Sequence, residues 1–450
     1  MSGQITIKPT VLQILVDRLG QPVNALSRER ATLHLLDWLG QAMLGLRQPA
    51  AAGFRAVFTA NINGHATALS GSRGDWWQVL QVNAALGNLL EMDDLHRRSI
   101  LHPGPIIVPA AIAVAEEVGA SGEALLTAIV RGYEATIRIG AALGTTHYDY
   151  FHNTSTCGTF GAAAATASLL NLDQNQTAHA LANAGSRTGG LWQMRHEACE
   201  SKSLHNVVAA QTGVQAALMA QHGVRGPLQL LEGAQGLFAA MSDGANADNV
   251  VANIDADWRI HEVSFKPWPA CRHAHPVIDA ALVIRDDLDN DAIEKIEIET
   301  YKSALDFCNK PNPQTEHEAK FSLQHCAAVV LANGKPTLAD FALSQLQHAP
   351  IVALRKLVEV RENVEMSQQF PAHYQASIRV THRDGRVVTH TQLDAKGDPE
   401  LPLSMDEIVA KARMLMTAAE VVDIDALIAA TLAMGLVTSV KDWTQRWNNA

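Results

Sequence analysis

A chain of 450 residues with 47% hydrophobic residues, 18% charged residues and a mean hydropathy near zero is long enough to bury one or two full cores. Its net charge is −11 and its sequence pI about 5.9, with no Lys/Arg run or basic stripe, so a nucleic-acid or membrane-surface role has no electrostatic support and a small molecule is the expected partner. The opening MSGQITIKPT lacks the basic flank and apolar stretch of a signal peptide, and no uncharged apolar run reaches the roughly 18 residues that cross a bilayer; a cytoplasmic protein is expected. Five cysteines (Cys157, Cys199, Cys271, Cys308, Cys326) are scattered and form no CxxC pair, which argues against a disulfide framework, a zinc knuckle or a thiolate-held iron–sulfur cluster and predicts mostly buried thiols.

The first 250 or so residues read as helix after helix. In SRERATLHLLDWLGQAMLG, Ser27 is a candidate N-cap, and Leu36, Leu39 and Met43 recur at helical spacing. VPAAIAVAEEVGASGEALLTAIVRGYEATIRIGAAL predicts one helix from about Pro109 to Glu117, a break at Gly119 to Gly122, and a second helix ending near Leu143. SLHNVVAAQTGVQAALMAQHG repeats the pattern, and the many small residues let such helices approach closely.

The texture changes near residue 262. KIEIETY, Lys295 to Tyr301, alternates strictly, and ASIRVTHRDGRVVTHTQL is two alternating runs joined by Asp384-Gly385, a hairpin signal. Between them EAKFSLQHCAAVVLANGK is helical, and SMDEIVAKARMLM returns the chain to helix with Ser404 and Glu407 in a capping-box pattern. The fold class expected is mainly α with an α+β part: a helical domain of residues 1–262 completed by helices in 402–450, and an α/β domain of residues 263–401. GxGxxG, Walker and GxSxG patterns are absent.

Four polar clusters interrupt this apolar chain. In EMDDLHRRSILHPGP, a helix over Leu80 to Arg97 would put Asp93, His96 and Arg97 on one face, with His102 following on a proline-stiffened loop; the ordinary account is a solvated helix end. HYDYFHNTSTCGTFGAAAA sets His152, Thr154, Thr156 and Gly158 at the head of an apolar helix, a place suited to a carboxylate and equally to a plain cap. ESKSLHNVVAA places Lys202 and His205 three apart at another helix head, where a lone Lys is usually solvated. SFKPWPACRHAHPVIDA concentrates Lys266, Arg272, His273 and His275 at the expected domain boundary. On an extended strand Cys271, His273 and His275 would share a face and imitate a metal site, but a fourth ligand and a second paired motif are missing, so no metal is expected.

The ordered set MDDLHRRSILHPG, FHNTSTCGTFGAAAA, KSLHNVVAAQTGVQAA, LEGAQGLFAAM, KPWPACRHAHPVIDA and AKFSLQHCAA resembles the MmgE/PrpD family, which includes 2-methylcitrate dehydratases, cis-aconitate decarboxylases and an iminodisuccinate epimerase. The resemblance covers nearly the whole chain. It implies a large helical domain and a smaller α/β lid, a homodimer, a site between helical domain and lid, a small polycarboxylate substrate, and no metal or organic cofactor. Carried over motif by motif, it implies a site containing Asp93, His96, His102, His152, Lys202, His205 and His275; Asp93, His102, His152, Lys202 and His275 are the catalytic candidates, and Arg272, His325 and Thr154 join His96 and His205 as candidates for binding substrate.

Proton abstraction next to a carboxylate leaves extra negative charge, so such a site needs a base and fixed cations. His102 or His152 is the expected acid/base pair, Lys202 and Arg272 the carboxylate anchors, and Asp93 the orienter of an imidazole. Leu95 stands where many members have Thr, Asn153 where Pro is usual, and His325 where Tyr is common; the last exchanges a weak acid of pKa about 10 for one near 6.5, unless His325 merely fills a helix face. The expectation is a hydro-lyase like 2-methylcitrate dehydratase. Epimerisation, decarboxylation and a carboxylate-binding protein without chemistry are the alternatives.

Overall fold

In the computed structural model the described residues are 8–58, 64, 66–197 and 199–449. The first seven residues of the N-terminal stretch read above therefore lie outside them. The chain divides into two units, one of residues up to Leu89 with Asp93–Val263 and Met405 onward, the other of Leu90–Met92 with Ser264–Ser404.

The first unit is helical. Its chief elements are α1 (Ala25–Gly45), α2 (Trp76–Leu86), α3 (Gly104–Glu117), α4 (Gly122–Tyr148), α5 (Asn153–Leu169) and α6 (Ser201–Gln221), and a helix over Met405–Ala418 joins them. Small residues set the spacing. A Cβ on Gly161 would collide with the Thr136 hydroxyl of α4, and one on Gly213 with the Thr159 carbonyl of α5, so α4, α5 and α6 approach to backbone contact. The N-cap of α1 is Asn24 rather than Ser27: the Asn24 side chain accepts from Ser27 N at 2.8 Å, and the Ser27 hydroxyl is instead 3.0 Å from His261 Nε2. The break between α3 and α4 falls as read, with Gly119 at φ +66 and Ser121 capping α4, which runs on past Leu143 to Tyr148 across a kink at Gly144.

The expected helix over Leu80 to Arg97 is cut short here. Residues 87–103 are not helical: α2 stops at Leu86, so Asp93, His96 and Arg97 do not share a helix face. The cause is the buried Asp94 carboxylate, which binds Tyr133 Oη at 2.6 Å, His34 Nδ1 at 2.8 Å and Gly104 N at 2.9 Å. These tertiary bonds outweigh the local helical pattern and hold an irregular loop, with Glu91 at φ +59.

The second unit is α+β. Strands β1 (Ile293–Thr300), β2 (Val358–Glu362), β3 (Ala376–His382) and β4 (Val387–Gln392) form a mixed sheet in the order β2-β1-β3-β4; β1 pairs parallel with β2 and antiparallel with β3. The alternation in KIEIETY becomes Ile296 and Ile298 buried in a core with Ile278 and Ala281 of α7 (His275–Ile284) and Ala327 and Val330 of α8 (Leu323–Asn333). The β3–β4 hairpin turns at Asp384-Gly385, with Gly385 at φ +87. Ser322 caps α8 and ends the preceding short helix Glu316–Lys320, so EAKFSLQH is two helices, not one. Cys157, Cys271, Cys308 and Cys326 are buried thiols and Cys199 is exposed. No helix among the described residues is long and apolar enough to cross a membrane.

Candidate functional site

The first unit gathers Asp93, His102, His152, Thr154, Lys202 and His205. His102 Nδ1 stands 2.7 Å from the Asp94 carbonyl and 2.9 Å from Asp93 Oδ2, and the His102 backbone N–H donates to Thr154 Oγ1 at 3.0 Å. Two acceptors at Nδ1 place the proton there in the neutral ring, which leaves Nε2 with a lone pair. The Asp93 carboxylate orients that ring through Nδ1, while 15% side-chain exposure leaves the imidazole reachable.

His152 occupies the N-cap position of α5 without using its side chain as a cap. Its Nδ1 is 3.2 Å from His205 Nδ1, so a single hydrogen serves both nitrogens. Its ring stacks on Trp192 at 4.6 Å between centroids, and its Nε2 has no hydrogen-bond partner among the described residues. Burial drives the His152 pKa well below its ordinary value, and the nearby His205, Lys202 and His102 push the same way against Asp93. Burial lowers His205 as well. The pair is therefore neutral at physiological pH, beside the ammonium of Lys202 on the first turn of α6.

A backbone bridge builds this contact. His152 N donates to Gly190 O and Trp192 N to Tyr150 O, each at 2.9 Å, joining 150–152 to 190–192. Gly190 has φ +121, and a Cβ there would stand 2.9 Å from Ser155 Cβ and 3.3 Å from His205 Nδ1, so only glycine lets the strand segment pass this close. Asp94, Gly190 and Trp192 were not singled out in the sequence. The Gly189-Gly190 pair was the one local signal, whereas the Trp192 stack depends on a contact 40 residues away.

His96 is elsewhere in the same unit. Its Nδ1 meets Ser99 Oγ at 3.0 Å and its Nε2 meets Glu262 Oε2 at 3.1 Å, and it lines a separate cavity with Arg98 and Arg259.

In the second unit Arg272 is clamped by Asp398 and by the carbonyls of Ala395 and Lys396, and donates to His275 Nδ1 at 3.2 Å. Its charge is thus matched inside the unit, where Arg272 braces the 395–398 turn. His275 is fully buried, with Nε2 3.1 Å from Ala270 O. Residues 272–274 form a 3-10 turn rather than a strand, and His273 Nδ1 meets Tyr301 Oη at 2.6 Å, so Cys271, His273 and His275 do not converge as metal ligands. His325 lies in the interior, its Nε2 3.0 Å from Asp340 O and its Nδ1 3.4 Å from Arg355, with burial lowering its pKa to about 4. It fills a helix face. Lys266 and Lys320, neither assigned a role in the sequence, both reach the 90–91 segment: Lys266 Nζ donates to Glu91 O at 3.2 Å and Lys320 Nζ to Leu90 O at 3.4 Å.

Among the described residues, the side chains grouped as a metal ion would need are Asp394, Asp398 and Glu400. Asp398 there is paired with Arg272 and accepts from Ser264 Oγ at 2.6 Å.

Comparison with known proteins matches residues 20–249 to the MmgE/PrpD N-terminal domain and residues 268–431 to the MmgE/PrpD C-terminal domain. The chain is 28% identical to cis-aconitate decarboxylase of Homo sapiens, over 86% of this chain and 82% of that protein. It is 28% identical to the Mus musculus cis-aconitate decarboxylase, over 74% and 70%. With the cis-aconitate decarboxylase-like protein oryM of Aspergillus oryzae it shares 25% identity over 89% and 88%. With both domains matched in order along most of its length, the chain belongs to the MmgE/PrpD family.

Proposed function

We propose that the chain is a cofactor-independent lyase acting on a small di- or tricarboxylate, with decarboxylation of an unsaturated tricarboxylate such as cis-aconitate as its first reading. The observation that carries it is the oriented His102–Asp93 pair beside the neutral His152–His205 pair and the Lys202 ammonium. The curated relatives named above, each a cis-aconitate decarboxylase or decarboxylase-like protein, move decarboxylation ahead of the dehydration that the sequence motifs put first.

In decarboxylation the bond from carbon to one carboxylate breaks and carbon dioxide leaves. The electron pair stays on carbon, spread over the adjacent double bond and its carboxylate. Lys202 and the N–H groups at the start of α5 offset that charge. The carbanion then takes a proton from His102 Nε2 while Asp93 holds the ring through Nδ1, and the imidazole is recharged from water. Dehydration of a 2-methylcitrate-like substrate is the second reading, because His102 and His152 offer a base for the carbon-bound proton and an acid for the leaving hydroxyl.

Incubation of the EDTA-treated protein with cis-aconitate and, separately, 2-methylcitrate tests this. Carbon dioxide released from cis-aconitate supports the first reading, and water lost from 2-methylcitrate the second. Turnover of neither by the folded protein contradicts both.

A homodimer is proposed as well. Leu204, Val208 and Met219 form an exposed apolar stripe along α6, and Tyr150 and Leu191 expose further apolar surface on the segments joined by the backbone bridge. Sedimentation of the wild type as a dimer and of Val208→Asp as a monomer is expected; a monomeric wild type contradicts it.

A further inference from the structure

A cavity of about 270 Å³ opens in the helical unit between α4, the 249–262 segment and the 97–100 loop. His96, Arg98, Arg138, Asn249, Arg259 and Glu262 supply its polar lining, and none of Asp93, His102, His152, Lys202 or His205 reaches it. Three guanidinium groups thus meet around one space in a chain of net charge −11.

Most of this lining is fixed. Arg138 is buried, with Nε on Glu134 at 2.7 Å and its terminal nitrogens on the carbonyls of Val250, Ala252 and Asn253. Asn253 adopts φ +48, and its carbonyl meets Arg138. Arg259 donates to Glu262 at 2.6 Å and to Ala252 O at 3.2 Å. Burial would raise the Glu262 carboxyl, but His96 and Arg259 outweigh it and hold the group at about 2. The one acid in the lining is therefore already matched by its neighbours.

Arg98 differs. It is exposed, and among the described residues its guanidinium has no hydrogen-bond or ion-pair partner. It sits on a loop closed by the His96–Leu101 bridge, with His96 N donating to Leu101 O at 2.9 Å. Ser99 ties the loop down, its Oγ donating to Ile137 O at 2.8 Å and its carbonyl accepting from Asn153 Nδ2 at 2.9 Å. A cation presented from a rigid loop over a polar, largely cationic cavity needs no reordering to bind an anion.

We propose that this cavity is a second anion site, taking a small dianion of phosphate or short-dicarboxylate size through Arg98 and the remaining N–H groups of Arg259. The site is separate from the acid/base cluster and does not depend on the reaction proposed above. His96, which the motif comparison placed with the substrate, serves here by holding Glu262.

Calorimetric titration of the full chain with inorganic phosphate and, separately, with succinate tests the proposal. The variants are Arg98→Glu, Arg98→Lys and Lys202→Ala. Arg98 is exposed on a loop tip, so its variants are expected to melt with the wild type. At least one probe should bind the wild type, lose at least about tenfold in affinity in Arg98→Glu, lose less in Arg98→Lys, and keep its affinity in Lys202→Ala. Binding of phosphate alone, succinate alone or both under that pattern identifies the anion. Failure of both probes to bind the wild type at millimolar concentration, unchanged affinity in Arg98→Glu, or loss confined to Lys202→Ala would each overturn it.

Discussion

The Asp93 carboxylate lies 2.9 Å from His102 Nδ1, on the side of the ring away from the lone pair at Nε2. This relationship fixes which nitrogen is left for the proposed chemistry, and it rests on the neighbouring Asp94, which anchors the loop through Tyr133, His34 and Gly104. The two adjacent acids divide the work between orientation and folding.

Asp93→Asn should preserve the fold yet let His102 adopt the wrong tautomer. A fall in kcat of about a hundredfold or more, with KM changed far less, is expected from steady-state kinetics on the substrate that proves active. An equal loss from His102→Ala and from the double variant would show that the two residues act as a unit.

Trp192 covers His152 and keeps water from it. In Trp192→Leu the imidazole becomes better hydrated and its pKa climbs back toward about 6.5, so the acidic limb of the pH–rate profile should move to higher pH, with Trp192→Phe restoring it. A uniform drop in rate with an unmoved profile would assign Trp192 a packing role alone.

Arg272→Met removes the guanidinium paired with the buried Asp398, leaving the hydrogen bonds from Ser264 Oγ and Ala395 N. Breaking a buried ion pair by removing one partner destabilises by about 3–5 kcal/mol, so urea unfolding should show a loss of that order. Unchanged stability, with a raised KM, would return Arg272 to the role of substrate anchor.

Stability should fall in mild acid. Burial lowers His34 to about 4 and His325 to about 4, while in the unfolded chain each titrates near 6.5. Below that value the unfolded chain takes up protons that the folded chain refuses, so stability declines as pH falls from about 6.5 toward 4. Asp37 acts oppositely: burial raises it to about 6 despite Lys411, so it favours the folded state as pH drops below that value. The two histidines together outweigh it, and lowered pKa values at His96, His147, His152 and His205 add to them. Urea unfolding at pH 5.5 should give a free energy lower by about 2 kcal/mol or more than at pH 7.5.

How much of this was legible in the sequence depended on the range of the interactions. Strict alternation in Lys295 to Tyr301 and the Asp384-Gly385 turn are local signals, and both appear as read, in a mainly helical protein with an α+β part. The stretch from Gly87 to Arg97 reads as helix because Asp93, His96 and Arg97 fall at helical spacing, while the bonds that decide its course come from α1, α3 and α4. For the same reason His96 looked like a neighbour of the acid/base groups and lies against Glu262 instead. The motifs brought His102, His152, Lys202 and His205 to attention. That His152 meets His205 through Nδ1, and that Gly190 and Trp192 arrange the meeting, is tertiary information no spacing carries. His325 drew attention as a departure from a motif, yet its position is set by Asp340, Phe341 and Arg355 as a packed interior side chain.

Proton NMR of the EDTA-treated protein in D₂O with cis-aconitate, 2-methylcitrate and citrate, run beside His102→Ala, tests the central claim most directly. The account predicts carbon dioxide loss or dehydration of one of these acids, with solvent hydrogen exchanged at carbon next to a carboxylate, by the wild type and at least about a hundredfold more slowly by His102→Ala. Equal rates in the two proteins, or no reaction and no exchange with any of the three while the wild type remains folded, would contradict it.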